Sequence, residues 1–125
     1  LYVLPDRRGT KTSTTTSIAC ISNAVDARES AISSGFITFS QSMQTAYTTR
    51  TSALKQAWVI TNIKDRNAAV KAAWAVFNSA KKKMAKTWNT AQRTAWAQFK
   101  TAAKACKVPL NTTDASNETS EPTGE

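Results

Sequence analysis

The sequence predicts an all-α protein, built as a long antiparallel two-helix hairpin with an extended N-terminal arm and an acidic C-terminal tail. Gly and Pro number only three each among 125 residues, while Ala is abundant, and this composition favours helix over sheet. Neither Gly nor Pro occurs between Phe36 and Val108. Apolar side chains recur every 11 residues in both halves of this stretch, a spacing close to three helical turns.

Three segments follow from this pattern. Residues 1–19 are predicted to form the extended arm, because a short apolar stretch is followed by Pro5, two arginines and a run of threonines. Residues 20–107 are predicted to form the helical hairpin. Residues 108–125 form the acidic polar tail, where two prolines, four acids and few apolar side chains predict disorder in isolation.

The turn between the two helices is predicted at residues 62–65. The β-branched run Val59-Ile60-Thr61 weakens helix formation. Asn62 can adopt a left-handed cap conformation, and Asp65 is a good N-cap residue. The chain therefore doubles back near its midpoint.

Folding at this point places residues that are equally distant from the turn opposite each other. The expected pairs are Val25 with Phe99, Phe36 with Trp88, and Tyr47 with Phe77. Three of the four tryptophans, Trp58, Trp74 and Trp88, are expected to fill the seam between the helices. Trp96 is expected in the core as well; the alternative is a partly exposed position at the edge of the seam, accessible to a partner.

The two cysteines, Cys20 and Cys106, lie at equal distances from the turn. The same fold brings them together, and we predict a disulfide between them. This bond would stabilise the protein by roughly 3 to 5 kcal/mol, because it closes a long loop. The alternative is a pair of buried thiols at the helix ends.

A repeat of the form Arg-x-x-Ala-aliphatic-x-x-x-aromatic begins at Arg28, Arg50 and Arg66. It indicates growth by duplication, or else the general pattern of an amphipathic helix. Together with the Ala-rich and Lys-rich helices and the closing Phe99-x-x-x-Ala103-x-x-Cys106, the repeat resembles uncharacterised secreted helical proteins of reduced-genome, candidate-phyla type bacteria. The resemblance covers roughly residues 20–107 and implies export and a helical hairpin. It transfers no site residues.

The positive charge is concentrated in the second half of the chain. The formal net charge is +9, and residues 63–107 hold eleven basic residues and one acid. An exposed basic stripe about 50 Å long is predicted from helical geometry. Its members are Lys71, Lys82, Lys86, Arg93, Lys100 and Lys104. This basic stripe is suited to DNA or another polyanion, or to the acidic tail of a neighbouring copy; the alternative is a solvated outer face.

The outer side of the first helix is rich in uncharged hydroxyl groups. They belong to Ser30, Ser33, Ser34, Ser40, Ser42, Thr45, Thr48, Thr49, Thr51 and Ser52. A monomer would ordinarily place charges on such a face. We therefore expect this Ser/Thr face and the terminal arms to dock against further copies, in an extracellular filament or surface layer, although a hydroxyl-rich exported surface without that role has the same composition.

The sequence argues against an enzyme. It contains no His, which removes the commonest general base and a common metal ligand. We predict no catalytic residues, metal site or cofactor, because no phosphate loop, CxxC pair or nucleophile elbow occurs.

Several features bear on where the protein acts. No run of about 18 apolar residues occurs, so no transmembrane segment is predicted. The chain begins at Leu1 rather than Met, which favours removal of a leader and secretion; a chain shortened in another way would begin in the same manner. Asn111 and Asn117 each begin an Asn-x-Thr sequon and are candidate glycosylation sites; chance occurrence of so short a motif is the alternative.

Overall fold

The structure, a computed structural model, describes residues 15–107 and 114–124. Two long helices, α1 (Thr15–Ala57) and α2 (Ile63–Ala105), pack against each other, and a short 3₁₀ helix spans Ala115–Ser120. The predicted all-α helical hairpin is confirmed.

The first helix begins earlier than the sequence predicted. Residues 15–19 belong to α1, so the boundary of the extended arm at residue 19 is wrong. The threonines and the serine before Ile18 do not prevent helix formation, since low propensity is a weak constraint. Residues 1–14 of the predicted arm lie outside the described residues.

The turn also differs from the prediction. Helix α1 ends at Ala57, and residues 58–62 form the connection. Asn62 is the N-cap of α2, because its Oδ1 accepts a hydrogen bond from the backbone N–H of Asp65 at 3.0 Å. Asn62 does not adopt the predicted left-handed conformation. In the part of the chain that the structure describes, Lys107 is the one non-glycine residue with a positive φ. Lys107 has this conformation just after the end of α2.

The described chain divides into two compact units. Unit 1 comprises residues 15–33, 91–107 and 114–122, and unit 2 comprises residues 34–90 and 123–124. The core of unit 1 is formed by Ala24, Trp96, Phe99 and Ala103. Val25 packs against this core, as predicted from its pairing with Phe99.

Unit 1 also contains the disulfide. Cys20 and Cys106 are bonded, with their Cα atoms 5.7 Å apart. The predicted pairing of these two cysteines agrees with this geometry.

Unit 2 contains the other two predicted pairs. The ring centroids of Phe36 and Trp88 are 5.7 Å apart, and those of Tyr47 and Phe77 are 5.2 Å apart. Small side chains occupy the remaining buried positions of this unit. They are Ala46, Ala57, Ala73 and Ala85.

Two of the predictions for tryptophan are wrong. Trp58 is 66% exposed and Trp74 is 44% exposed. Trp58 follows the last residue of α1, so it lies beyond the helix-packing seam, and Trp74 belongs to a cluster of rings around Arg50. Trp96 is only 3% exposed, so it has the predicted place in the core, and the alternative of an exposed edge position is wrong.

Candidate functional site: two arginine–aromatic clusters

The Arg28 cluster in unit 1 consists of Arg28, Trp96, Phe99 and Asp114. The guanidinium carbon of Arg28 lies 4.4 Å from the ring centroid of Trp96 and 4.4 Å from that of Phe99. Arg28 is only 4% exposed. Aromatic faces are favourable neighbours for a guanidinium group, which is weakly hydrated and planar. The two rings therefore restrict the orientation of its hydrogen-bond donors.

Asp114 completes the Arg28 cluster. The Nη1 and Nη2 atoms of Arg28 donate to the Oδ1 and Oδ2 atoms of Asp114, each at 2.6 Å. This fork geometry is the strong form of an arginine–carboxylate pair. Hydrogen bonding from Arg28 lowers the pKa of Asp114, against the opposing effect of burial. The same hydrogen bond raises the pKa of Arg28.

Further contacts attach residues 114–122, the part of the C-terminal segment in unit 1, to the helices. The Nε1 atom of Trp96 donates to Glu121 Oε1 at 3.2 Å, which covers the indole and contributes to its burial. Gln92 Nε2 donates to the carbonyl oxygen of Pro122 at 2.6 Å, and Lys100 forms an ion pair with Glu118.

In unit 2, the backbone N–H of Gly124 donates to Asn89 Oδ1 at 3.0 Å. A Cβ atom on Gly124 would lie 2.9 Å from the Cα atom of Ala85, so glycine permits this close approach.

Residues 114–124 of the tail are thus held by side chains of the helices, and the disorder expected of the tail in isolation stays a prediction. Three of the four tail acids, Asp114, Glu118 and Glu121, bind side chains of their own chain. These three acids are paired within their own chain, and the contact of the tail with a neighbouring copy stays a prediction. Residues 108–113, including the sequon residue Asn111, lie outside the described residues. Asn117 is exposed, and its Nδ2 atom donates to the backbone oxygen of Asp114 at 3.2 Å.

The Arg50 cluster in unit 2 consists of Arg50, Tyr47, Trp74 and Phe77. The guanidinium carbon of Arg50 lies 4.5 Å from the ring centroid of Trp74 and 4.3 Å from that of Phe77. Tyr47 provides a third ring at 4.9 Å. No acid in residues 15–107 or 114–124 forms an ion pair with Arg50.

The two clusters are built on the same spacing. Arg50, Trp74 and Phe77 stand 22 positions from Arg28, Trp96 and Phe99 respectively, which is two 11-residue periods. The Trp96 and Phe99 rings meet at 84° and 5.8 Å, and the Trp74 and Phe77 rings meet at 82° and 6.1 Å. The shared geometry follows from the 11-residue period on both sides of the turn.

The third arginine of the repeat has a different environment. The guanidinium carbon of Arg66 lies 5.0 Å from the ring centroid of Trp58, and its Nη1 donates to the backbone oxygen of Ile60 at 3.4 Å. Arg66 therefore stabilises the connection between the helices.

The members of the basic stripe are all exposed. They are Lys71, Lys82, Lys86, Arg93, Lys100 and Lys104. Lys100 pairs with Glu118, and the other five form no ion pair with the acids that the structure describes. On the Ser/Thr face of α1, Thr48 and Thr51 donate to the backbone oxygens of Gln44 and Tyr47, which satisfies their hydroxyl groups locally.

The described ranges contain neither a candidate metal site nor a candidate membrane-spanning helix. No group of three or more His, Cys, Asp or Glu side chains is placed to hold a metal ion there. Neither long helix contains a stretch apolar enough to cross a lipid bilayer.

Comparison with protein families, curated proteins and solved structures finds no match to this chain. The chemistry of the two clusters indicates one kind of group that the chain can bind. An arginine held between aromatic rings presents a fixed pair of donors, which suits a carboxylate.

Proposed function

We propose that the protein is an exported, non-enzymatic structural protein that self-associates into an extracellular filament or surface layer. The observation that supports this proposal is the distribution of exposed large apolar side chains. Unit 2 exposes eight of the nine that occur in the described chain, and unit 1 exposes only Ile18. The eight are Phe36, Ile37, Tyr47, Trp58, Val59, Ile63, Trp74 and Val76.

An apolar surface of this kind favours association. Isolated exposed apolar residues are common in monomers, but concentrated ones mark interaction surfaces. Trp58, Val59 and Ile63 lie together around the connection between the helices and are each more than half exposed. A cavity of about 340 Å³ is lined by Ile60 of the connection, by Gln56, and by alanine and valine side chains of the two helices. We propose that a second copy of the chain occupies the region formed by Trp58, Val59, Ile63 and this cavity.

Export is supported by the disulfide. Disulfides persist in oxidising compartments and are uncommon in the cytosol. The non-enzymatic part of the proposal is supported by the absence of His from the whole sequence and by the use of three tail acids in contacts with their own chain.

We expect Ile63→Ser to weaken self-association about tenfold or more, because each buried Ile contributes roughly 1.5 to 3 kcal/mol. Ile18→Ser is the matched control, since Ile18 in unit 1 is 58% exposed and Ile63 in unit 2 is 64% exposed. Light scattering coupled to size-exclusion chromatography over a concentration series measures the association, and negative-stain microscopy shows its form. A wild-type protein that stays monomeric at high concentration contradicts the proposal, as does an equal effect of both variants.

A second function, binding of DNA or another polyanion, is favoured by the exposure of the basic stripe. Residues 63–107 combine eleven basic residues with one acid. The five unpaired stripe residues are accessible to phosphate or sulfate groups.

We expect DNA affinity to fall steeply with salt concentration if this function holds. Replacing Lys82 and Lys86 with Gln should reduce the slope of log affinity against log salt by about 2, because each phosphate contact contributes roughly 0.9. Lys55→Gln is the control, since Lys55 is exposed on α1 and outside the stripe. Mobility-shift titrations at two salt concentrations measure the slope. No binding at low salt eliminates this function.

A further inference from the structure

We infer that the Arg50 cluster is a second carboxylate-binding site, which binds an acidic segment of another polypeptide chain. The Arg28 cluster provides the pattern, because there the chain's own residues 114–121 supply the acids. Such a site is distinct from self-association, since it is a single peptide-binding site on unit 2 and is present in a monomer.

The two clusters share one framework. Each arginine has a Trp face and a Phe face within 4.5 Å of its guanidinium carbon. Each also follows a buried alanine four positions earlier in α1, Ala24 before Arg28 and Ala46 before Arg50. The Arg50 cluster therefore has the parts that orient a guanidinium group for bidentate binding.

The two clusters differ in exposure. Trp96 is buried and its Nε1 donates to Glu121, whereas Trp74 remains 44% exposed. Arg28 is buried beneath Asp114, while Arg50 is half-buried and makes no hydrogen bond to any residue that the structure describes. Arg50 and Trp74 are thus both more exposed than Arg28 and Trp96, the two residues that Asp114 and Glu121 contact in the Arg28 cluster.

The surroundings of the Arg50 cluster are positively charged. Residues 34–90 contain nine basic residues and one acid, Asp65. The Nζ atom of Lys81 lies 5.9 Å from the ring centroid of Phe77. This surplus of positive charge attracts an acidic segment and disfavours a basic one.

The spacing of the acids defines the ligand more closely. Asp114 binds the arginine and Glu121 binds the indole N–H, seven residues further on. An Asp-x₆-Glu segment therefore matches Arg50 and the Nε1 atom of Trp74. The position equivalent to Lys100 is Asn78, so an acid at the position of Glu118 is not required.

The experiment uses a fluorescent peptide with the sequence of residues 114–124, Asp-Ala-Ser-Asn-Glu-Thr-Ser-Glu-Pro-Thr-Gly, added to the full chain. Anisotropy is measured at a protein concentration at which light scattering shows a monomer. We expect saturable one-to-one binding, weakened about tenfold or more by Arg50→Gln. Arg50→Lys should also weaken it, because a lysine provides a point charge without the fork. A peptide with Asn in place of its first Asp should bind the wild-type protein no better than the unchanged peptide binds the Arg50→Gln variant.

Matched variants test whether the loss of binding is specific to the Arg50 cluster. Lys55→Gln removes one of the nine basic charges of residues 34–90 but no member of the Arg50 cluster, so it should weaken binding much less than Arg50→Gln does. Circular dichroism detects whether Arg50→Gln unfolds the helices. Trp74→Phe is the second variant for that case, because it keeps a ring but removes the indole N–H donor. We expect it to weaken peptide binding several-fold. Binding that is insensitive to Arg50→Gln but enhanced by Asp114→Asn overturns the inference, because the peptide would then enter the Arg28 cluster.

Two further results would also overturn it. One is the absence of binding to the folded wild-type protein at low salt. The other is binding that appears only after Asp6→Asn or Glu125→Gln, because a carboxylate of the same chain would then be the ligand of Arg50. Neither result bears on self-association, which Ile63→Ser tests separately.

Discussion

Replacing Cys20 and Cys106 with Ser is expected to lower the free energy of unfolding by about 4 kcal/mol. The disulfide joins residues 86 positions apart, and a loop of this length restricts the unfolded chain strongly. Unit 1 needs this contribution, because its buried hydrophobic core consists of two alanines, Trp96 and Phe99. Urea denaturation followed by circular dichroism measures the change.

The reduced wild-type protein provides the control. Its denaturation midpoint should coincide with that of the double Ser variant, since both lack the same bond. Each single Ser variant should give the same midpoint as the double variant. A wild-type midpoint that does not move on reduction would show that the two thiols are not bonded.

Asp114→Ala is expected to cost about 2 to 3 kcal/mol, because it leaves Arg28 buried without a carboxylate. The Nε atom of Arg28 is already buried without a hydrogen-bond partner in the described part of the chain. Loss of Asp114 would also remove the acceptor of both Nη atoms. Glu29 lies 3.6 Å from Nη2 but is mostly exposed, and it compensates only in part. Asp26→Ala, at an exposed acid on α1, is the control and should have little effect.

The same ion pair makes stability depend on pH. The pKa of Asp114 is lowered in the folded state by its hydrogen bonds from Arg28, so the unfolded chain binds the proton more readily. The contribution of Asp114 is therefore complete above its unfolded pKa of about 4 and is lost as the pH falls through the lower folded value. Asp114→Ala should remove this part of the acid dependence. An unchanged acid profile would contradict the assignment.

The fold was predictable where a regular period governs it. Phe36 and Trp88, like Tyr47 and Phe77, meet because the 11-residue rows continue on both sides of the turn. Cys20 and Cys106 meet because they lie at nearly equal distances from the turn. The turn was placed a few residues late, since Asn62 can serve either as a left-handed residue or as an N-cap, and its hydrogen bond to Asp65 decides between them.

The candidate site was predictable only in part. The arginine repeat identified Arg28 and Arg50 as equivalent positions. Trp74 and Trp96 are separated by the same 22 positions, so their equivalence could also be found in the sequence. The partner of Arg28 could not be found in this way, because Asp114 lies 86 residues away in a segment without periodicity. The different exposures of Trp74 and Trp96 were not predictable for the same reason, since Glu121 of that segment covers Trp96.

The bond between Cys20 and Cys106 also governs what happens when the polypeptide is cut. The connection at residues 58–62 is short and largely exposed, and exposed loop tips are preferred sites of proteolytic nicking. A protease that severs it leaves two fragments, one ending near Trp58 and the other beginning near Ile63, which remain covalently joined. In an oxidising environment, such a nicked molecule would stay in one piece until a reductant released the two fragments.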